Sequence, residues 1–341
     1  MKHSIVIPVG RFSFFVHANT KNIYSHVENK PIDLVFVTSN NVEDHVIKAL
    51  NDAKKDYPIR VLTAPFNAGP NHLKLLDWAI REPSLNEWMI TQHCDVFWNE
   101  DKWLSNVEEK MTDEVAAICF PNWQFRIDNQ NMPIIGDTFG AYNRKIISDR
   151  NWSFEWDHLQ EHSISSNVRK LIENGRLVRL SGEKFKKGDF LDGSVIMSLE
   201  MIAENPKMID CIYSHGLNHL LAFFRIYDSI YWDLDKHELH INLPFMQDFV
   251  GCSKHTWIDA ITKYSFLSSL VFDKDEIKNP LPWSLMEKIS LVEQIDLDIY
   301  GATKTCEWIS DYHKIPKSKT LGLDDLGIKR IKFNNKEYNF D

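Results

Sequence analysis

The stretch EWMITQHCDVFWNEDKWL, residues 87–104, is the most informative segment of this chain. An apolar run ends abruptly in His93-Cys94-Asp95, whose side chains can bind a metal ion, and a short amphipathic helix is predicted after it. A buried strand that delivers a carboxylate and an imidazole to its carboxyl end is one way in which an α/β protein builds a ligand site. The stretch therefore predicts a strand with a binding site at its end.

Other segments upstream have the matching strand–loop–helix character. SIVIPVGR at 4–11 and Leu34 to Val37 read as buried strands, and RVLTAPFNAGPNHLKLLDWAI at 60–80 reads as a strand, a loop and a helix. Repeated units of this kind predict an α/β fold with a mostly parallel, doubly wound sheet flanked by helices. Ligands of such sheets bind at the carboxyl ends of the strands.

The order and spacing of these segments resemble the GT-A fold glycosyltransferases that use nucleotide sugars, in the style of the large bacterial family 2. SIVIPVGR resembles the family's opening strand and loop, NAGPNHLKLLDWAI its N-x-G-x-x-x-A-x-N segment, and EWMITQHCDVFWNEDKWL its strand with the D-x-D motif. The resemblance is best over residues 1–105, fades through 106–180 and returns at GDFLDGSVIMSLEM (188–201) and YSHG (213–216). It implies a Rossmann-like GT-A domain over residues 1–220 that transfers sugar to a saccharide or glycoconjugate acceptor, with inversion as the family's default.

The resemblance also implies a nucleotide-sugar donor site in the loops after the first strands. Thr38, Ser39 and Asn40 offer hydrogen bonds to the base or ribose, but the Asp-rich turn that is usual after the second strand is missing. The nucleotide is therefore not identified by the sequence. The candidate donor-binding residues are Pro8, Val9, Gly10, Arg11, Thr38, Ser39, Asn67, Gly69, Asn71, Lys74, His93 and Asp95.

The metal motif departs from the family's pattern, because His93 stands where the family has its first Asp. Asp95 is the expected metal-binding carboxylate, and His93 either coordinates the ion or contacts the ribose. Imidazole suits manganese-type ions better than magnesium, which prefers oxygen ligands, so a divalent metal is expected with Mn²⁺ favoured over Mg²⁺. The resemblance adds His215 of YSHG as a late metal ligand, and a structural histidine is the alternative.

An inverting transferase needs a base that takes the proton from the acceptor hydroxyl. Asp192 precedes Gly193 and a run from Val195 to Met201 with helical spacing, in agreement with the family's D-T-G-like turn. Asp192 is therefore the first candidate for the catalytic base and Asp189 the second. The alternative role for Asp192 is a helix N-cap, which is frequent for Asp.

The middle segment PNWQFRIDNQNMPIIGDTFGAYNRK, residues 121–145, is rich in aromatic and polar side chains. Its aromatic residues offer a platform for a sugar ring, and Asp137 or Arg144 can bind hydroxyls or phosphate. Core packing is the alternative for each aromatic residue. The candidate acceptor or sugar-binding residues are Trp123, Asp137 and Phe139, with Phe125 and Tyr142 as further parts of the platform.

Composition limits the classes of function. The chain has 341 residues, 43% hydrophobic and 26% charged, and a net charge of −9, so no general nucleic-acid partner is expected. The five cysteines are scattered without a C-x-x-C pair, which indicates a reducing, cytoplasmic setting. No apolar run of about 18 residues predicts an integral membrane segment. A lipid-linked acceptor would therefore require peripheral contact with a membrane.

Residues 221–341 are predicted to form a mainly helical C-terminal region. HLLAFFRIYDSIYWDL, SLMEKISLVEQIDLDIY and TKTCEWISDYHK have helical spacing, NPLPW at 279–283 marks a turn, and IKRIKFNNKEYNF suggests a hairpin around Asn334-Asn335. This region can cover the acceptor site, form a homo-oligomer interface or dock a partner, and the sequence does not choose among these roles.

Two other functions stay open beside a transferase in surface polysaccharide or glycan assembly. The substitution of His93 for Asp is compatible with a GT-A-like binding or scaffolding subunit that has lost catalysis. A sugar-nucleotide nucleotidyltransferase is the other alternative. SIVIPVGR lacks the Gly-rich loop with Lys or Arg that holds a triphosphate in such enzymes, which weighs against it.

Overall fold

A computed structural model describes most of the chain. The described residues are 2–27, 30–69, 71–120, 122–136, 138–155, 164–186, 189, 194–213, 217–219, 230–233, 235–241, 254–270, 281–294, 327–333 and 336–339. The chain forms two compact units, the first of residues 1–16 and 23–217 and the second of residues 17–22 and 218–341.

The secondary structure alternates strands and helices through the first unit. The strands are β1 (His3–Pro8), β2 (Leu34–Thr38), β3 (Ile59–Thr63), β4 (Trp88–Gln92), β5 (Val96–Trp98), β6 (Ala117–Cys119), β7 (Asn122–Ile127), β8 (Gln130–Ile134), β9 (Phe139–Asn143), β10 (Leu177–Arg179), β11 (Ile209–Cys211), β12 (Leu217–His219), β13 (Ile230–Asp233), β14 (Glu238–Ile241), β15 (Arg330–Phe333) and β16 (Lys336–Asn339). The helices are α1 (Ser13–His26), α2 (Asp44–Asp56), α3 (His72–Ala79), α4 (Trp103–Glu108), α5 (Arg144–Asp149), α6 (Ser166–Glu173), α7 (Val195–Glu204), a 3₁₀ helix (Pro206–Met208), α8 (Lys254–Leu270) and α9 (Trp283–Glu293).

A seven-stranded sheet forms the centre of the first unit, in the order β11-β6-β9-β4-β1-β2-β3. β4, β1, β2 and β3 are parallel to one another, β11 is parallel to β6, and β9 is antiparallel to both β4 and β6. The predicted fold class, α/β with a mostly parallel sheet flanked by helices, is confirmed.

The inner strands are buried on both faces. The residues from Ile5 to Ile7 and from Leu34 to Val37 are completely buried, and Ile5 is in register with Leu34. Continuous runs of β-branched and other apolar residues are typical of such parallel strands, because helices cover both faces of the sheet. The helix after β3 uses its apolar side in the same core, where Leu75 and Leu76 join one buried cluster with Met89 of β4.

A smaller antiparallel sheet, β10-β7-β8, follows the central strands in the first unit. Ser198 of α7 accepts a hydrogen bond at 3.0 Å from the backbone N–H of Ile135, just after β8. All residues from Val195 to Ile202 of α7 are buried. The helix predicted after Gly193 is therefore present, and it is a core element.

The second unit contains strands as well as helices. β13, β14, β15 and β16 form a four-stranded sheet, and β15 and β16 pair antiparallel as the predicted hairpin. Residues 230–233 are a strand where the sequence predicts helix, and Ile230 is buried while Tyr231 is 63% exposed. That alternation has the period of two that a strand requires. The predicted helix at 303–314 lies outside the described residues.

The helices of the second unit are α8 and α9. Their middle turns are buried, with Ile261, Leu267, Leu285 and Met286 at 2% exposure or less. Among the residues that the structure describes, no helix combines the length and the apolar character that a bilayer span requires.

Candidate functional site

The carboxyl ends of the parallel strands meet at one edge of the central sheet. β1 ends at Pro8, β2 at Thr38, β3 at Thr63 and β4 at Gln92. The antiparallel β9 begins at this same edge, since its first residue, Phe139, is in register with Gln92. The structure therefore brings the predicted donor loops and the His93-Cys94-Asp95 motif to a common edge, which is where α/β sheets bind ligands.

A buried glutamine fixes the turn that carries the motif. Gln92 is completely buried, and its amide nitrogen donates to the carbonyl of Val96 at 2.9 Å. Its side-chain oxygen accepts from the indole N–H of Trp98 at 2.8 Å. The indole of Trp98 is stacked on Trp103 of α4 at 4.0 Å between ring centroids. The chain between β4 and β5 is therefore held at both ends by side chains in the core.

The motif places a carboxylate and an imidazole together. Asp95 is 3% exposed, and His93 is half-buried. A ring nitrogen of His93 and a carboxylate oxygen of Asp95 lie within 4.8 Å of each other. The backbone N–H of His93 donates to the carbonyl of Thr138 at 2.9 Å, which ties the motif to the start of β9. An imidazole and a carboxylate at this separation fit a divalent ion of the manganese type.

The cysteine between the two candidate ligands is chemically quiet. Cys94 is 7% exposed. Burial, followed by the negative charge of Asp95, raises the pKa of the Cys94 thiol well above its ordinary value. The group that coordinates metals is the thiolate, so a thiol held protonated competes poorly with Asp95 and His93.

A second imidazole lies against His93. His72 is the first residue of α3, and its ring contacts the ring of His93 edge to face, with centroids 4.5 Å apart and an interplanar angle of 82°. Both rings are half-buried. The N-terminus of α3 therefore adjoins the metal motif, although the two segments lie about 20 residues apart in the sequence.

The loop before α3 is organised by its two asparagines. The side chain of Asn67 accepts from the N–H of Gly69 at 2.7 Å, and Gly69 has a φ of +57°, a conformation that favours glycine. Asn71 caps α3 by accepting from the N–H of Leu73 at 3.0 Å. Asn67 and Asn71 thus shape the loop, and Lys74 is exposed on the first turn of the helix.

The loop after β2 is less open than the sequence suggests. Thr38 is 1% exposed, and its hydroxyl lies 3.3 Å from that of Thr63. Ser39 is half-buried and its hydroxyl donates to the side-chain oxygen of Asn41. The side-chain amide of Asn40 lies 3.4 Å from the carbonyl of Pro65. Thr38 is therefore a core contact between strands, and Ser39 and Asn40 are the residues of this loop nearer to solvent.

The loop after β1 divides into a buried and an exposed half. Pro8 and Val9 are buried, and the N–H of Val9 donates to the carbonyl of Val37 at 2.9 Å. Gly10 and Arg11 are exposed. The carbonyl of Arg11 lies 2.8 Å from Nε2 of His45, which joins this loop to α2. Of these four donor candidates, Gly10 and Arg11 present atoms at the surface of the edge.

Asp189 is held in place by the neighbouring strand. Its Oδ2 accepts from the Arg179 guanidinium at 3.2 Å and from the N–H of Lys186 at 3.0 Å. Arg179 also lies over the ring of Phe185 at 4.9 Å. Asp192, the first candidate base, lies outside the described residues.

Two further candidates, Asp137 and His215, also lie outside the described residues. Asp137 precedes the start of β9 by two positions. β11 is parallel to β6 and ends at Cys211, so the chain leaves the sheet toward His215 from the same edge that carries Asp95.

The aromatic residues of the middle segment mostly fill the core. Phe139 is 4% exposed and packs against Trp98 and Phe120, with ring centroids 4.9 and 5.1 Å apart. Tyr142 and Phe125 are at most 1% exposed. Core packing, the alternative for these residues, is what the structure shows, because a ring so deeply buried offers no face to a sugar. Trp123 lies on β7, and its side chain is outside the described part of the structure.

Arg144 is also a structural residue. Its guanidinium donates to the backbone carbonyls of Ile80 at 2.9 Å, Leu85 at 2.5 Å and Asn86 at 2.9 Å, and to that of Glu82. Partial burial lowers the pKa of Arg144. The expectation that Arg144 binds hydroxyls or phosphate is therefore wrong, because the side chain instead satisfies the carbonyls between α3 and β4.

A second cluster of metal-type ligands lies in the second unit. Ligand atoms of Asp233, Glu238 and His240 lie within 4.8 Å of one another. Glu238 is already paired with Arg330 at 2.8 Å and Lys332 at 2.9 Å. These cations neutralise the carboxylate, and the cluster is an ion-pair network across β14 and β15.

Sequence reasoning missed Gln92 and His72. Gln92 had a signal, since it is a polar residue at the end of an otherwise apolar strand and directly before the metal motif. His72 had none, because only the packing of α3 against the end of β4 brings its ring to His93.

Neither a family model nor a curated protein matches the chain. Among solved structures, the chain is similar to the mannosyltransferase PcManGT from Pyrobaculum calidifontis in complex with GDP-Man and Mn²⁺, at 11% identity and a TM-score of 0.37 over 91% of this chain and 73% of that one. It is also similar to S. aureus TarS 1–349, at 12% identity and a TM-score of 0.41 over 86% of this chain and 92% of that one. A third similar structure is the apo form of mouse xyloside xylosyltransferase 1, at 8% identity and a TM-score of 0.39 over 62% of this chain and 85% of that one. Identities and TM-scores this low leave the chain's own residues as the basis for its function.

Proposed function

We propose that this protein is a nucleotide-sugar-dependent glycosyltransferase whose donor binds at the carboxyl edge of the central sheet. The observation that carries the proposal is the pair of buried Asp95 and half-buried His93, with ligand atoms within 4.8 Å of each other, directly after β4. The exposed parts of the loops after β1, β2 and β3 lie at the same edge. A nucleotide sugar bound there has a metal-binding pair for its diphosphate and polar loops for its nucleoside.

The chemistry requires charge stabilisation at this pair. Glycosyl transfer breaks the bond between the anomeric carbon and the diphosphate, so negative charge grows on the leaving group. A bound divalent ion supplies Lewis-acid stabilisation of that charge. Asp95 and His93 are the residues that would hold the ion, with Mn²⁺ preferred to Mg²⁺ because one donor is an imidazole nitrogen. His215 is the proposed third ligand.

Asp192 is the proposed catalytic base of an inverting reaction, and Asp189 is the second candidate. A positioned base contributes about 10²–10⁴-fold in rate. Asp189 has one advantage for such a role, since Arg179 and the backbone of Lys186 fix the orientation of its carboxylate. Trp123 and Asp137 are the proposed contacts of the acceptor.

The acceptor is proposed to be a saccharide or a lipid-linked glycan, in assembly of a surface polysaccharide or another glycoconjugate in the cytoplasm. A lipid-linked acceptor would bring the protein to the membrane surface. A non-catalytic scaffolding subunit is the second candidate function, and the observation that favours it is His93 at the position of a carboxylate.

Calorimetric titration of UDP, GDP and CMP and of their sugar conjugates, each with and without Mn²⁺, tests the proposal. We expect one nucleotide to bind, and to bind tightly only with Mn²⁺, which also identifies the donor class. Binding that is independent of Mn²⁺ would keep the transferase but remove the metal role of Asp95, His93 and His215. Absence of binding by every nucleotide would favour the scaffolding subunit.

The base assignment has its own test, which uses the donor identified by that titration. Release of the nucleoside diphosphate is measured for Asp192→Asn and Asp189→Asn. Loss of about 10²–10⁴-fold in turnover in one variant, with nucleotide affinity retained, identifies the base. Full activity in both variants would show that neither carboxylate acts as the base.

A further inference from the structure

The contact between His72 and His93 is the feature of the site with no counterpart in the predicted motifs. The two rings meet edge to face at 4.5 Å between centroids, and both are half-buried. His93 lies directly after β4, and its ring nitrogen is within 4.8 Å of the Asp95 carboxylate. His72 is therefore in direct contact with a residue of the metal-binding pair.

The position of His72 in α3 adds a second feature. α3 begins at His72, with Asn71 as its N-cap, and follows β3 at the carboxyl edge of the sheet. The N-terminus of a helix carries partial positive charge and free N–H groups, and it favours anions, phosphate in particular. The cap and the ring contact together hold the imidazole of His72 where this helix end adjoins His93 and Asp95.

We propose that His72 binds the diphosphate of the nucleotide-sugar donor and stabilises it as the leaving group, beside the ion held by Asp95 and His93. This inference rests on the proposed function of the same edge. An imidazole has an N–H donor in its neutral form and two in its charged form, so His72 can donate to a phosphate oxygen in either state. The hydrogen bond becomes stronger as the sugar leaves, because negative charge accumulates on the oxygens that accept it.

A simpler role for His72 is to orient the ring of His93 through packing alone. The two roles depend on different atoms, since binding of phosphate requires an N–H donor and orientation requires a flat ring. His72→Gln keeps an N–H donor and removes the ring. His72→Phe keeps the ring contact and removes the donors. The pair of variants therefore separates the two roles.

The experiment measures the affinity of UDP and of GDP in the presence of Mn²⁺, by calorimetry, for the wild type and both variants. A hydrogen bond to a charged group contributes enough that its loss weakens binding about tenfold or more. We expect His72→Phe to lose about tenfold or more in affinity for the diphosphate that the wild type binds, and His72→Gln to lose clearly less. The opposite order, with Phe tolerated and Gln not, would overturn the proposal in favour of orientation, and equal affinities in all three proteins would also overturn it.

Two controls complete the design. His26→Gln changes a histidine at the C-terminal end of α1, which lies at the opposite edge of the sheet from the start of α3, and it should leave affinity unchanged. Binding of uridine and guanosine, which lack phosphates, should be equal in wild type and variants. Failure of the wild type to bind UDP, GDP or CMP with Mn²⁺ would refute the proposed function itself, and the role of His72 with it. Tight binding by the wild type, with no loss in His72→Phe, would refute only the role of His72.

Discussion

Gln92 organises the site, although it carries none of its chemistry. Its amide bridges the carbonyl of Val96 and the indole N–H of Trp98, and all three groups are interior. His93 and Asp95 lie on the turn between these contacts. A long apolar side chain at position 92 would leave a buried donor and a buried acceptor without partners.

We therefore predict that Gln92→Leu destabilises the protein. Each buried polar group that loses its partner costs about 1–3 kcal/mol. The free energy of unfolding in urea measures the loss, and the affinity for Mn²⁺ is expected to fall because the turn loses its anchor. Gln130→Leu, at an exposed position on β8, is the matched control and should change neither quantity. A Gln92→Leu protein as stable as the control would show that the two hydrogen bonds do not hold the turn.

Glu200 makes a prediction about pH. Its side chain is 6% exposed in α7 and accepts from the N–H of Ser165 at 2.5 Å. Burial raises the pKa of this carboxyl above its ordinary value of 4.5, against the opposing effect of the hydrogen bonds from Ser165. The folded state thus favours the protonated form, and this contribution to stability is full below pH 4.5 and is lost as the pH rises through the folded pKa.

The Glu200→Gln variant should consequently gain stability relative to the wild type as the pH rises from about 4 to about 7, by about 1.4 kcal/mol per unit of pKa difference. Glu204→Gln is the matched control. A hydrogen bond from Arg150 lowers the pKa of Glu204, so its stabilising contribution is present at neutral pH and is lost as the pH falls. Urea unfolding at several pH values should give slopes of opposite sign for the two variants. Slopes of the same sign would contradict the assignment for Glu200.

At the scale of elements, α3 links the fold to the site. The Asn71 cap defines where the helix begins, and the first helical residue is His72. Removal of an N-cap costs about 1 kcal/mol. A frayed first turn of α3 would also displace the imidazole that contacts His93.

We predict that Asn71→Ala lowers the free energy of unfolding by about 1 kcal/mol and also weakens binding of the nucleoside diphosphate. Asn71→Asp, which keeps a capping oxygen, should restore most of both properties. Asn143→Ala removes the cap of α5, where the side chain accepts from Ile146 N–H at 3.3 Å. That control should lose comparable stability and keep its affinity for the nucleotide. Equal loss of affinity in both alanine variants would indicate a general effect of instability.

Elements with a strong hydrophobic period could be predicted from the sequence, and elements with a mixed signal could not. The runs at Ile5 and Leu34 are apolar because the strands are buried on both faces, and they predicted β1 and β2 well. Residues 230–233 were predicted as helix because the run from His219 is apolar at helical intervals as well. Their strand identity comes from pairing with β14, a tertiary contact that local sequence does not encode.

At the scale of the whole molecule, the order of strands along the chain was sufficient to predict the mostly parallel sheet and the edge at which the site lies. The motif His93-Cys94-Asp95 could be found because a charged group at the end of an apolar strand is conspicuous. The roles of single residues were harder to predict. Arg144 and Phe139 have the chemistry of ligand-binding residues, and only the packing of the sheet shows that they satisfy backbone carbonyls and fill the core.

The central proposal is that Asp95 holds a divalent ion for a nucleotide-sugar donor. The decisive measurement is Mn²⁺ binding, followed by electron paramagnetic resonance, for the wild type, Asp95→Asn and Asp101→Asn in the presence of the nucleotide identified by calorimetry. Asp101 is 70% exposed and pairs with His26, so it is a carboxylate of the same region outside the site. We predict that Asp95→Asn weakens Mn²⁺ binding about tenfold or more and that Asp101→Asn leaves it unchanged. Wild-type affinity for Mn²⁺ in the Asp95→Asn protein would contradict the proposed metal site.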